Sequence, residues 1–354
     1  MIIDCHGHYT TAPKELGDYR DQQKAELKRN PQHQSQKGRL AISDDQLRES
    51  VEGAQLKLQR ERGTDVTIFS PRASWMGHHL GNASTSRNWT EHCNDLIYRL
   101  TKLYPKNFVG VAQLPQSPGV AIEQSVRELT RCVNELGFVG CNLNPDVSGG
   151  AQFMPSMGDE YWFPLYEKMV ELDVPALIHS ATTVNPWDYY QNYFITTETS
   201  CILQMVEKRV FKTFPNLKII VAHGGGSIPY QIGRWRSNFG RMMGLDFDEE
   251  LRKFYFDTGL YNVESLELLF KLCGTDRVMF GTENHAMRAD KALWDIAVWA
   301  QTELALLNYL SGASADEIGE VLRSDVMPNL EMDEFSKRFN AYLQEYGHAI
   351  YDLD

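Results

Sequence analysis

The sequence has no run of 18 or more apolar residues, so it holds no candidate membrane span and no membrane partner is expected. Its first ten residues, MIIDCHGHYT, lack both a basic segment and a long apolar segment, so no export signal is expected there and a cytoplasmic protein is. It has no excess of positive charge: 47 acidic against 35 basic residues leave a formal net charge of −12. That excludes a general phosphate-backbone binder, and no nucleic-acid partner is expected. Cysteine is sparse and scattered, at Cys5, Cys93, Cys132, Cys141, Cys201 and Cys273, with Cys132 and Cys141 the closest pair. Free buried thiols, not a disulfide framework, are the reading for that spacing. With 42% hydrophobic and 23% charged residues, the chain is not disordered.

What the chain does have is alternation. Apolar runs rich in Val, Ile and Phe fall at 1–8, 65–70, 108–114, 138–143, 174–179, 217–223, 254–258 and 277–283. Segments of helical period follow them, at 44–62, 87–103, 120–136, 160–172, 197–213, 227–243, 262–273 and 290–310. Continuous apolar strands are buried on both faces, as in a parallel sheet. Eight strand–helix units predict an α/β chain folded as a (β/α)₈ barrel. A doubly wound open sheet is the rival, but the first strand ends in His6-Gly7-His8 and not in a Gly-rich dinucleotide turn. One domain over 1–354 is expected, with a long polar loop at 9–43 and C-terminal helices within 312–354.

Four of the ten histidines end predicted strands: His6 and His8 on the first, His179 on the fifth, His223 on the sixth. Glu283 ends the eighth. Barrel chemistry sits at the C-terminal ends of the strands, so these five side chains converge on one mouth. Residues i and i+2 of a strand share a face, so His6 and His8 can bind one ion, with Gly7 leaving room. His179 and Glu283 supply the third and fourth ligands. Three nitrogens and one oxygen suit a single divalent metal, Zn²⁺ with Mn²⁺ as the alternative.

The runs Ile3-Asp4-Cys5-His6-Gly7-His8, Val221-Ala222-His223-Gly224-Gly225-Gly226 and Phe280-Gly281-Thr282-Glu283, with the strand ending in His179, resemble the amidohydrolase superfamily. More narrowly they resemble its amidohydrolase-2 branch of metal-dependent lyases, which includes aminocarboxymuconate-semialdehyde decarboxylase. Stretches such as FSPRASWMGHH, NLNPDVSGG and HGGGSIPYQIGRWR look like the branch's 4-oxalomesaconate hydratase subgroup. The resemblance implies His6, His8, His179 and Glu283 as metal ligands and His223 as the acid/base residue. It implies a homodimer. It also implies a hydratase acting on an unsaturated oxo-carboxylate in aromatic-acid degradation, with a non-oxidative decarboxylase as the alternative. Glu at position 283, where most of the branch has Asp, favours the hydratase.

The partner in either reaction is a small anionic carboxylate, so cations near the mouth matter. Arg72, just past the second strand, is a candidate for bidentate carboxylate binding. Arg288, past Glu283, and Arg234, inside a helix, are further candidates, each equally readable as a surface or ion-paired arginine. Asn142 ends the fourth strand and either faces the mouth or serves the turn before Pro145. Tyr193 either donates a proton or packs as an ordinary tyrosine. His78 and His79 lie in the loop after the second strand, as substrate contacts or exposed residues.

Overall fold

A computed structural model describes residues 1–151 and 154–283. Arg288, the helix expected at 290–310 and those expected within 312–354 lie outside the described residues. From residue 3 onward, the described residues belong to one compact unit, Ile3–Gln301.

The strands are Ile3–Tyr9, Val66–Pro71, Phe108–Gly110 continuing as Ala112–Gln113, Cys141–Leu143, Ala176–Ile178, Ile219–Val221, Tyr255–Asp257 and Val278–Met279. Each pairs in parallel with the next in sequence order. Where the third strand is interrupted, backbone bonds keep it in the sheet: Val111 N donates to Phe69 O at 2.9 Å and Ala112 N to Gly140 O at 2.9 Å. The ends also meet, because Cys5 N donates to Phe280 O at 2.8 Å. Eight parallel strands in sequence order, joined at these points by backbone bonds, form the expected barrel. Leu177, Ile220 and Ala222 fill its interior, with Tyr255 and Met279 packed against them.

Three helical expectations change. The segment expected as one helix over 197–213 is two, Tyr190–Glu207 and Val210–Thr213, parted at Lys208 and Arg209. The segment 44–62 is two helices, Asp44–Glu52 and Gln55–Arg62, interrupted at Gly53 and Ala54. A capping box starts the first: Gln46 N donates to Ser43 Oγ at 3.2 Å and Ser43 N to Gln46 Oε1 at 2.9 Å. The polar segment 9–43 is not a plain loop, because it contains the helix Lys14–Arg29. The buried residues of that helix are Leu16, Arg20 and Gln23, a regular helical spacing. Two of the three are polar, so hydropathy showed no stripe.

Candidate metal centre and active site

The first strand carries His6 and His8, both buried. Its pairing shifts register between Asp4 and Gly7, an irregularity of the kind that re-aims side chains. Gly7 has to be small, since a Cβ there would lie 2.1 Å from Thr67 Cγ2 on the second strand. His179 follows the fifth strand directly. His223 and Glu283 both sit in the left-handed backbone region, with φ of 53° and 50°. That conformation costs about 1–2 kcal/mol per non-glycine residue. It is borne here by two side chains that turn into the barrel mouth.

One ligand atom from each of His6, His8, His179 and Glu283 lies within 4.8 Å of all the others. Each imidazole has its second nitrogen occupied elsewhere. His6 Nδ1 meets Asp257 Oδ2, His8 Nδ1 meets Ser70 Oγ at 2.7 Å, and His179 Nδ1 meets the Ser180 carbonyl at 2.6 Å. This leaves the three Nε2 atoms directed at a common point, His6 and His8 only 2.9 Å apart. Facing nitrogens at that distance need a proton or a cation between them. Burial, reinforced by His6 and His179, holds the His8 imidazole well below its usual pKa and so neutral, as a metal ligand must be. Burial opposes charge on Glu283, yet His223 and hydrogen bonds from His179 and His223 hold its carboxyl well below the usual range. This donor set fits a divalent ion.

The outer contacts are as ordered as the inner ones. Asp257 Oδ1 accepts from Gly259 N at 3.0 Å and Gly224 N at 3.2 Å, which fixes the carboxylate behind His6. Asn142 Nδ2 donates to Ser70 Oγ at 3.0 Å. Asn142 therefore stands behind His8 and does not line the mouth. His223 Nδ1 meets Glu198 Oε2 at 2.8 Å, and its Nε2 meets Glu283 Oε1 at 3.0 Å. Burial disfavours the imidazolium, but Glu198 and Glu283 outweigh it and raise the His223 pKa well above its usual value. Phe194 lies nearly parallel to the His223 ring, with centroids 6.0 Å apart.

These groups open onto a cavity of about 510 Å³, whose lining includes Thr10, Arg72, Ser74, Tyr190, Phe194 and Tyr261 along with His8, His179, His223 and Glu283. Arg72 is the one arginine or lysine among the described lining residues. Its guanidinium donates to Ser74 Oγ at 2.8 Å and lies 4.8 Å from the Trp75 ring centroid. Arg234 does not reach this cavity: it is exposed on the helix Ile232–Met243, with Nε 3.4 Å from Gln231 Oε1. Tyr193 is also absent from the described lining, because its hydroxyl donates to Asp146 Oδ2 at 2.7 Å. Tyr261 is there instead, donating to Glu283 Oε2. His78 is buried against Ser86 and is not a described cavity residue; nor is His79. Sequence reasoning missed Glu198, Asp257 and Tyr261. Glu198 had one available signal, since it lies four residues after Phe194 on the same helical face.

The protein family described as Amidohydrolase matches residues 3–308. The 2-keto-4-carboxy-3-hexenedioate hydratase of Sphingobium sp. strain NBRC 103272 / SYK-6 is 45% identical over 285 residues, covering 80% of this chain and 83% of the relative. The 2-amino-3-carboxymuconate-6-semialdehyde decarboxylase of Dictyostelium discoideum is 31% identical, covering 62% of each. Among solved structures, 4-oxalomesaconate hydratase from Rhodopseudomonas palustris is similar with a TM-score of 0.76 and 37% identity, covering 98% of this chain and 99% of that one. No described helix is long and apolar enough to cross a membrane. With the barrel, the convergent ligand set and these relatives together, the chain belongs to the amidohydrolase family.

Proposed function

We propose that this enzyme is a metal-dependent hydratase that adds water across the C=C bond of an unsaturated oxo-carboxylate, a step in the degradation of aromatic acids. The observation that carries the reading is the Arg72 guanidinium, which shares one cavity with the convergent His–Glu set and pairs with no carboxylate among the described residues. The substrate class is supported by the relatives whose names specify 2-keto-4-carboxy-3-hexenedioate and 4-oxalomesaconate.

His6, His8, His179 and Glu283 would hold one divalent ion, Zn²⁺ with Mn²⁺ as the alternative. When bound, such an ion supplies Lewis acidity and lowers the pKa of water at the site. Arg72 binds a substrate carboxylate and so sets the orientation of the C=C bond. Glu198 holds Nδ1 of His223, which directs Nε2 towards Glu283 and the cavity. His223 is then the group that exchanges a proton with the substrate carbon next to the one that gains oxygen. Tyr261 orients the Glu283 carboxylate through its Oε2. Phe194, nearly parallel to the His223 ring, gives the cavity wall an apolar face beside that imidazole.

The second reading is a non-oxidative decarboxylase, favoured by the identity to the Dictyostelium enzyme. Both use a metal and a poised proton donor, so the products decide. Turnover of the unsaturated oxo-tricarboxylate 2-keto-4-carboxy-3-hexenedioate in ¹⁸O-water places label in a new, non-exchanging hydroxyl group and releases no CO₂ if the enzyme is a hydratase. Release of CO₂ with no labelled hydroxyl group formed overturns that assignment. The implied homodimer is part of the same reading and is checked by light scattering. Six free thiols support a reducing, cytoplasmic setting.

A further inference from the structure

The loop that carries Arg72 is held by two buried residues from outside it. Trp89, on the helix Ala83–Leu103, donates from Nε1 to the Trp75 carbonyl at 3.0 Å. Arg20, on the helix Lys14–Arg29, donates from Nη2 to the next two carbonyls, Met76 at 3.2 Å and Gly77 at 3.0 Å. Three consecutive carbonyls are thus fixed by donors that do not belong to the loop. The two holders also pack on each other, with Arg20 Cζ 4.6 Å from the Trp89 ring centroid. Arg20 is only 5% exposed, and its remaining side-chain hydrogen-bond partner among the described residues is the neutral Gln23 amide oxygen at 3.0 Å. A buried guanidinium whose hydrogen-bond acceptors are all neutral is costly to keep, so an apolar residue would be the default there.

The loop has somewhere to go if released. Ser74 lines the active-site cavity on one side and, on the other, a second cavity of about 330 Å³ bounded also by Arg20, Trp75, Gly77 and Leu80. Trp75 is the ring on which the Arg72 guanidinium rests, and Ser74 accepts from Arg72 Nε. Movement of the loop towards the second cavity therefore moves both supports of Arg72.

We infer that Arg20 is a positioning residue for substrate: by clamping the carbonyls of residues 76 and 77, it sets the placement of Arg72 and hence the affinity for the substrate carboxylate. The inference rests on the reading of Arg72 as the carboxylate partner. Arg20 touches no substrate itself. A planar fork is needed to serve two adjacent carbonyls and an amide together, so lysine replaces it only in part.

The test uses metal-loaded full-length protein and two readouts. One is KM and kcat for the oxo-tricarboxylate. The other is the calorimetric Kd for propane-1,2,3-tricarboxylate, a saturated probe that cannot be hydrated. Arg20→Met should raise KM and the probe Kd about tenfold while kcat changes less than about threefold, the signature of lost uniform binding. Arg20→Lys should fall between wild type and Arg20→Met. Adding Arg20→Met to Arg72→Ala should produce little further change, since both act through one contact. A purely structural role predicts the opposite pattern, with fewer active molecules and an unchanged KM. Should Arg20→Met fail to fold, Trp89→Phe frees the Trp75 carbonyl while keeping an aromatic ring, and the same rise in KM is expected. An unchanged KM and Kd in the folded variant, or a full multiplication of its effect with that of Arg72→Ala, overturns the inference. If Arg72→Ala alone leaves both constants unchanged, the reading of Arg72 fails and the inference falls with it. If the oxo-tricarboxylate is not turned over but the probe Kd shows the coupling, the clamp stands and the hydratase assignment fails.

Discussion

Substituting Gly7 with alanine tests whether the metal centre depends on close strand contact. The new Cβ would sit 2.1 Å from Thr67 Cγ2, far inside van der Waals contact. The next neighbour, the Ile68 carbonyl at 3.4 Å, is tolerable, so the clash is with one methyl group. That methyl cannot swing away, because Thr67 Oγ1 is held by Gln59 Nε2 at 2.7 Å and the residue is 1% exposed. The strands must part, at an overpacking cost of about 1–3 kcal/mol. For 354 residues, an unfolding entropy of about 2.1 cal/mol/K per residue makes this a fall of roughly 1.5–4 °C in Tm. The displaced atoms flank both first-strand ligands, so metal affinity should fall at least tenfold, the scale of a disturbed ligand support. Thr67→Ser removes the offending methyl and keeps the hydroxyl, at a cost of about 1 kcal/mol on its own. The double variant should then be no less stable than Thr67→Ser alone and should regain its metal. Scanning calorimetry and metal titration on the four proteins complete the cycle. A Gly7→Ala protein with wild-type Tm and metal affinity, or additive effects in the double variant, would refute the reasoning.

Replacing His6 and His8 together with alanine should remove most of the bound metal, as read by elemental analysis of purified protein; full occupancy would move the site elsewhere. His223→Asn should keep the metal and lose about two or more orders of magnitude in kcat, the usual worth of a proton-transfer group, whereas near-normal turnover would pass that role to another group such as Tyr261. Glu198→Gln should also lower kcat while sparing metal content, because it takes the negative partner from His223 Nδ1; loss of metal instead would make Glu198 part of the binding set. Burial pushes the Cys93, Cys141 and Cys273 thiols up to about 12. At pH 8 the folded protein should therefore react with iodoacetamide far more slowly than the urea-unfolded chain, with a rate rising towards tenfold per pH unit; equal rates would show exposed thiols.

Much of the barrel was legible from local patterning. Strands buried on both faces read as unbroken apolar runs, and a barrel places its chemistry at their C-terminal ends. His6, His8, His179 and Glu283 follow from those two facts, and the structure brings the four together. The helix Lys14–Arg29 escaped notice because burial there is satisfied by hydrogen bonds from Arg20 and Gln23, which hydropathy scores as solvent-facing.

Partner choice is where only the tertiary structure could decide. Tyr193 and Tyr261 are alike in sequence terms, each lying in or near a segment that follows a barrel strand. One hydroxyl meets Asp146 and the other Glu283, because which atoms face a tyrosine depends on how its segment crosses the strand ends, a long-range outcome. Asn142 lies in the middle of its strand, Cys141–Leu143, and not at the end, and its amide donates to Ser70, 72 positions earlier. Arg72 and Arg234 carry the same charge, but only Arg72 is seated by Ser74 and Trp75 at the cavity wall. Periodicity states which face of an element is buried; which groups meet across that face is set by how the elements pack, and no local pattern encodes it.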